Sequence, residues 1–261
     1  MSEPVYNRIG ITYNQTRQAD PYLVERLYAL LVPEPGKQYL DIGCGTGNYT
    51  LELHNMGVNL LGVDPSEEML SKAKSKAPTL SWTQASAEAI PFPDAHFDGA
   101  VATLTLHHWT DLERGMEEVY RVVSKGKWVI LTGFPSQMDN YWLCAYFPQM
   151  MKDSNAFMHT EAQLLGAMKG AGWTNLEIEP YSVQSDLQDL FLYSGKYHPE
   201  RYFDENFRNG ISSFRLKANE QELESGLKQL RKDLDSGKWE EVVGQFDVEA
   251  GDYAFVVGEK I

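Results

Sequence analysis

Apolar positions along the chain follow two alternating rhythms. Short aliphatic runs at Tyr39–Ile42, Val58–Val63, Leu80–Gln84, Phe97–Leu104 and Trp128–Gly133 read as strands buried on both faces. Between them, apolar residues recur at helical spacing. Asn48 to Met56 is one such segment, closed by Gly57, and Glu67 to Lys76 is another, with Met69 and Leu70 inward. Ser66 predicts a helix cap, and Thr110 with Glu113 and Thr160 with Gln163 predict capping boxes. The first of these boxes opens a helix to Val123, the second a helix ending at Gly172. Strands at Asn175–Val183 and Tyr253–Gly258 complete the pattern. Strands alternating with helices predict an α/β fold: a doubly wound, mostly parallel, seven-stranded sheet covered on both faces. In such a sheet a ligand lies beyond the carboxyl ends of the strands.

The first strand carries Asp41 and then breaks into Gly43-Cys44-Gly45-Thr46-Gly47. Glycines at such a turn supply positive φ and keep side chains off the main chain. The helix that follows offers unpaired N–H groups and the positive end of its dipole to a carboxylate or phosphate. A dinucleotide fingerprint would need a third glycine at position 48, which is Asn48, and this weighs against a nicotinamide-dependent oxidoreductase. The second strand ends in Asp64, 21 residues past Gly43, and Pro65 follows. A carboxylate at that tip can accept both hydroxyls of a ribose. The plain alternative is an acid that merely opens the turn before Pro65.

Taken together, apolar–Asp41–apolar–Gly43-x-Gly45-x-Gly47 resembles the first motif of the class I S-adenosylmethionine-dependent methyltransferases. The resemblance implies a Rossmann-like core and S-adenosyl-L-methionine as cofactor, released as S-adenosyl-L-homocysteine. It implies cofactor contacts at Asp41, Gly43, Cys44, Gly45, Asn48, Asp64, Pro65, Ser66, Met69 and Thr103. In the type 11 methyltransferases the segment after the third strand reads Asp-Ala-Glu-x-Leu-Pro-Phe. Here it reads Ser86-Ala87-Glu88-Ala89-Ile90-Pro91-Phe92, so Ser86 stands where the acid near the adenine amino group is expected. A hydroxyl accepts that hydrogen bond more weakly than a carboxylate, and Ser86 and Ala87 are the expected adenine contacts. Glu88 is expected to be structural. Ser124-Lys125-Gly126-Lys127 is a degraded copy of the usual Lys-Pro-Gly-Gly.

The fourth strand leads into Thr105-Leu106-His107-His108-Trp109, similar to the Leu-His-His segment of many small-molecule methyltransferases. Neighbours on an extended chain point to opposite faces, so the two imidazoles are not expected to share a metal. His107 can serve as a general base, orient the acceptor, or simply fix its own loop. At the N-terminus Val5, Ile9 and Tyr13 share helical spacing, and Arg17 lies four residues beyond Tyr13. In related enzymes a Tyr-x-x-x-Arg segment folds over the cofactor. That implies Arg17 at the methionine carboxylate and Tyr13, a second catalytic candidate, near the transferring methyl. The alternative is an ordinary amphipathic helix. Asp20-Pro21 starts the next helix.

The expected organisation is N-terminal lid helices over 1–34, a core over 35–185 and 248–261, and a helical cap over 186–247 lining the acceptor pocket. Tyr141, Trp142, Tyr146, Phe147, Met150 and Met151 could join that wall, although such stripes are mostly packing.

Composition narrows the reading. At 261 residues and 43% hydrophobic composition the chain can bury one large core with a modest extension. A net charge of −14 leaves no basic face, so nucleic acid is not an expected partner, and the Ser71–Lys76 lysines read as a solvated helix face. The acidity weakly favours a cationic or neutral acceptor. No window of about 18 apolar residues suggests a membrane span, and a cytoplasmic protein is expected. Cys44 and Cys144 form no disulfide framework and are too few for an arsenite methyltransferase. The expectation is methyl transfer to an O, N or C atom of a small molecule by a monomer or homodimer. A non-catalytic S-adenosylmethionine-binding protein is the alternative.

Overall fold

The computed structural model describes residues 17–246 and 250–261. Its centre is a seven-stranded sheet: β1 (Gln38–Ile42), β2 (Asn59–Asp64), β3 (Ser81–Gln84), β4 (Gly99–Thr103), β5 (Gly126–Thr132), β6 (Thr174–Tyr181) and β7 (Tyr253–Lys260). The spatial order is β3-β2-β1-β4-β5-β7-β6. The first five strands pair in parallel, and β7 inserts antiparallel between β5 and β6. The order reverses between β1 and β4, which opens a crevice at their carboxyl ends.

The two-residue rhythm of β1, β2, β4, β5 and β7 divides their side chains between two layers. Tyr39, Leu60, Val101, Val129 and Phe255 pack into one apolar layer; Leu40, Ile42, Leu61, Ala100, Ile130 and Val256 pack into the other. Asp41 shares the Tyr39 face and so meets the helix α2 (Asn48–Asn55), which buries Tyr49, Thr50 and Leu53. Ser66 caps α3 (Glu67–Lys76), and Thr160 with Gln163 forms the expected capping box of Glu161–Ala171, closed by Gly172 in the left-handed region.

Several expectations change. The helix α1 (Pro21–Leu31), capped by Asp20, buries Leu23, Val24, Leu27 and Leu31 in the same layer as Val101 and Val129. It therefore belongs to the wall of the sheet rather than to a lid. Burying four such side chains contributes about 2 kcal/mol each, which a solvent-facing lid would forgo. The cap is also wider than residues 186–247. Pro148–Asn155 packs beside Ser212–Lys217, and Leu143–Tyr146 beside Glu220–Ser236, so the segment after β5 forms part of it. Tyr141, Trp142, Phe147 and Met150 are all buried there. The helix Leu112–Val122 starts from Asp111, whose carboxylate accepts the Arg114 N–H at 3.0 Å. Thr110 lies one residue before the cap, where its N–H and hydroxyl donate to Glu88, at 2.7 and 3.1 Å. Asp111 N–H donates to Glu88 as well, at 3.3 Å, so Glu88 ties the loop after β4 to the loop after β3.

Candidate active site

The glycine turn is held from below. Gly43 and Cys44 N–H donate to the Val63 carbonyl at 2.8 and 3.0 Å, binding the turn to the end of β2. Gly43, Gly45 and Gly47 have φ of +68°, +55° and +74°. Their reasons differ. A Cβ on Gly43 would lie 2.0 Å from Thr105 Oγ1, and one on Gly47 would lie 2.3 Å from the Trp82 ring. On Gly45 it would meet nothing within 4 Å. Two glycines thus admit the protein's own side chains, while Gly45 opens onto space that no described residue fills.

Asp64 joins this turn directly. One carboxylate oxygen accepts the Gly45 N–H at 2.9 Å and the other the Ser66 N–H at 2.8 Å. Burial pushes its pKa up to about 6, against the pull of those two N–H groups. Asp41 accepts the Thr50 hydroxyl at 2.6 Å, and burial pushes its pKa up to about 7. Burial also pushes the Cys44 thiol well above its usual range, which removes it as a nucleophile. Lys74 and Lys76 are exposed, as expected of a solvated helix face, but Lys76 also has local partners. Its ammonium donates to the Thr46 carbonyl at 3.1 Å and to the Asn48 side chain, bracing the turn, and burial lowers its pKa.

A cavity of about 50 Å³ lies over this turn. Of the sequence-derived candidates, Arg17, Asp41, Gly43, Cys44, Gly45, Asn48 and Thr103 line it together. Thr103 Oγ1 is buried there without a protein partner. Asp64 reaches the group through Gly45, whereas Pro65, Ser66, Met69, Ser86 and Ala87 do not line this cavity. Ser66 Oγ accepts the Met69 N–H as a cap, and Ala87 is buried in the core layer with Ile90. Tyr13 lies outside the described residues.

Sequence reasoning missed Asp189. Arg17 grips this buried carboxylate with Nε and a terminal nitrogen, the latter at 3.0 Å, and the Tyr49 hydroxyl donates to it at 3.0 Å. The Arg17 fork, expected at a ligand carboxylate, is thus held by a residue 172 positions away. Both Arg17 and Asp189 line the small cavity. The signal in the sequence was an acid inside the apolar run Leu187–Tyr193.

A second cavity, about 370 Å³, adjoins the first, with Arg17 common to both. Leu104, His107 and His108 form its floor beyond β4, and Met138, Ser154, Met158 and Ile211 bring in the cap. The two histidines do not sit on an extended chain. Leu106–His108 is a single 3₁₀ turn, and the rings stand side by side with centroids 3.9 Å apart. Burial lowers the pKa of His107 well below the usual range, with His108, Arg17 and His159 adding to the effect. His108 falls to about 4, from burial and then Arg17. Among the described residues no three His, Cys, Asp or Glu side chains are grouped to hold a metal.

Comparisons with known proteins place the chain in a family. Residues 40–131 match the family model described as "Methyltransferase domain". A crystal structure described as a "Putative methyltransferase from antibiotic biosynthesis pathway" of Anabaena variabilis is 33% identical, with TM-score 0.83, and the match covers 94% of this chain and 99% of that one. A malonyl-[acyl-carrier protein] O-methyltransferase of Erwinia billingiae is 30% identical over 49% of this chain and 51% of its own length. A demethylmenaquinone methyltransferase of Desulfitobacterium hafniense is 34% identical over 45% and 51%. The chain thus spans about half the length of these two curated relatives. With the glycine turn, the strand order and a full-length relative at this identity, the chain belongs to the class I S-adenosylmethionine-dependent methyltransferases.

Proposed function

We propose that the protein transfers the methyl group of S-adenosylmethionine to an O, N or C atom of a small-molecule acceptor. The observation that carries this reading is the junction of the two cavities at Arg17, with the glycine turn on one side and His107 on the other. The residues of the smaller cavity fit the cofactor. Open space above Gly45 admits a ligand against the backbone, and the unpartnered Thr103 hydroxyl offers it a hydrogen bond. Asp41 and Asp64 suit a ligand with cationic and hydroxyl groups, because a nearby positive charge draws a raised carboxyl pKa back down.

When bound, the cofactor supplies a methyl already activated on a sulfonium. What this chain does is placement. Asp64, fixed by two backbone N–H groups, has further lone pairs for ribose hydroxyls. Ser86 and the Ala87 backbone are assigned to the adenine. The cap keeps water from the acceptor, and alignment of the reacting atoms supplies the rate. His107 is the candidate to receive or orient the acceptor's proton. The relatives named for malonyl-[acyl-carrier protein] and demethylmenaquinone support a broad acceptor range. A non-catalytic binder would have little use for an acceptor cavity of about 370 Å³.

No helix among the described residues is long and apolar enough to cross a membrane. We read the protein as a cytoplasmic monomer or homodimer acting on neither nucleic acid nor membrane; the charge of −14 supports the exclusion of nucleic acid. Calorimetric titration with S-adenosylmethionine, S-adenosylhomocysteine and NAD tests the reading. Micromolar binding of the two sulfur ligands and none of NAD is expected. Absence of binding by either sulfur ligand would sink the proposal.

A further inference from the structure

The larger cavity has an electrostatic character opposite to that of the chain. The protein carries a net charge of −14, yet no Asp or Glu lines this cavity among the described residues. Its two cationic lining residues are both engaged. Arg17 is gripped by Asp189, and the Lys217 ammonium lies 3.6 Å from the centre of the Phe157 ring. Phe157 and Leu216 also line the cavity and are 54% and 46% exposed, which places them at its open side. His107 and His108 are held neutral at pH 7 by burial. The interior therefore offers an apolar wall with neutral hydrogen-bonding groups.

One of those groups has no protein partner. Ser154, 8% exposed, lines the cavity, and its Oγ is buried without a hydrogen bond. His107 Nδ1 is likewise unpartnered, so no protein acceptor fixes the ring's tautomer. Both residues line the same cavity, Ser154 from the cap and His107 from the turn after β4. An ammonium ion brought here would lose its water and find no carboxylate, and a carboxylate or phosphate would have to compete with Asp189 for Arg17. Both are costly. An uncharged hydroxyl is not.

We propose that the acceptor is an uncharged, largely apolar molecule with one acidic hydroxyl, a phenol or enol, hydrogen-bonded by Ser154 and His107. This rests on the methyltransferase reading. In the transfer, an oxygen lone pair forms the O–CH3 bond, and the methyl–sulfur bond breaks with its electron pair left on sulfur. The hydroxyl proton passes to the His107 imidazole and then to water. A neutral imidazole of lowered pKa is a weak base, so the acidity of the hydroxyl matters. A phenol, with pKa of about 10, is about six pK units easier to deprotonate than a hydroxyl as weakly acidic as water.

The test uses three probes of one shape: 2-naphthol, 2-naphthylmethylammonium and 2-naphthoate. Each is titrated by calorimetry into the full chain at pH 7, with and without S-adenosylhomocysteine. Naphthol is expected to bind at least about tenfold more tightly than either ion, and Ser154→Ala to weaken it by about fivefold, the loss of one hydrogen bond. Ser212→Asp places a carboxylate on a half-buried lining residue at the start of Ser212–Lys217, where a helix tolerates acids. It is expected to raise ammonium affinity at least about tenfold. Equal or tighter binding of either ion by the wild-type protein, or no binding of naphthol, would overturn the proposal. The probes report without any methyl transfer. Failure of S-adenosylhomocysteine to bind would instead count against the cofactor assignment.

Discussion

Gly43 and Gly45 differ by two positions and should fail in different ways. Alanine at either site adopts a positive φ, +68° or +55°, at a cost of about 1–2 kcal/mol. At Gly45 that is the whole cost to the unliganded protein, since the added Cβ meets nothing within 4 Å. At Gly43 the Cβ would fall 2.0, 2.6 and 2.9 Å from three atoms of the Thr105 side chain. Overpacking of that kind adds about 1–3 kcal/mol. For a chain of this size 1 kcal/mol moves the melting temperature by about 2–4 °C. Gly45→Ala should therefore melt roughly 2–8 °C below wild type, and Gly43→Ala about twice as far below. Ligand binding should rank them the other way. The Gly45 methyl occupies the space assigned to the cofactor, and losing one or two backbone hydrogen bonds plus close contact corresponds to about 30-fold or more in affinity. Differential scanning fluorimetry gives the first ranking and calorimetry with S-adenosylhomocysteine the second. A Gly45→Ala protein that binds like wild type would refute the assignment of that open space.

Other perturbations probe single groups. Asp64→Ala should weaken cofactor binding at least about tenfold, the loss of two hydrogen bonds to a charged acceptor, and unchanged affinity in a folded variant would remove the ribose assignment. His107→Ala should lower turnover while leaving cofactor affinity nearly intact; a collapse of cofactor affinity would move His107 into the binding loop. Asp41 gives a pH signature. Its carboxyl pKa is lifted from 3.8 to about 7 by burial, so the folded state holds this proton more tightly than the unfolded chain. The stability due to that proton is complete below about pH 4, falls as pH rises, and is gone once the folded group has ionised above about pH 7. The stability of wild type relative to Asp41→Asn should fall across that window by on the order of 4 kcal/mol, measured by denaturant titration at each pH. A difference that rises with pH would contradict the burial argument.

Much of the site was legible because it is local. The turn at Gly43–Gly47 needs only chain geometry, and Asp64 is found by counting to the end of the next strand. The caps at Ser66 and Thr160 follow from side chains that reach their own backbone within three residues. Even the seven strands could be read from their apolar runs, although β3 and most of β6 are only half-buried or exposed. Thr110 misled because Asp111 next to it is equally suited to capping and takes that place, while the Thr110 hydroxyl donates to Glu88, 22 residues away.

What the amino-acid order settled by itself is the sequence of elements and which residues stand at the strand ends, because backbone sterics and burial period act between near neighbours. The tertiary structure decided which groups meet. Arg17 is tied to Asp189 across 172 residues, Lys76 braces a turn 30 residues upstream, and Trp82 fills the space left by Gly47 and Gly62. The larger cavity, with no acid among its described lining residues, arises the same way, where the segments after β5 and β6 meet Leu104, His107 and His108. Such pairings depend on how crossovers stack helices on the sheet, and no short-range pattern encodes them. The whole chain is acidic, but no described residue brings an acid to the pocket, because charge is summed along the sequence while a pocket experiences only the groups that folding brings to its wall.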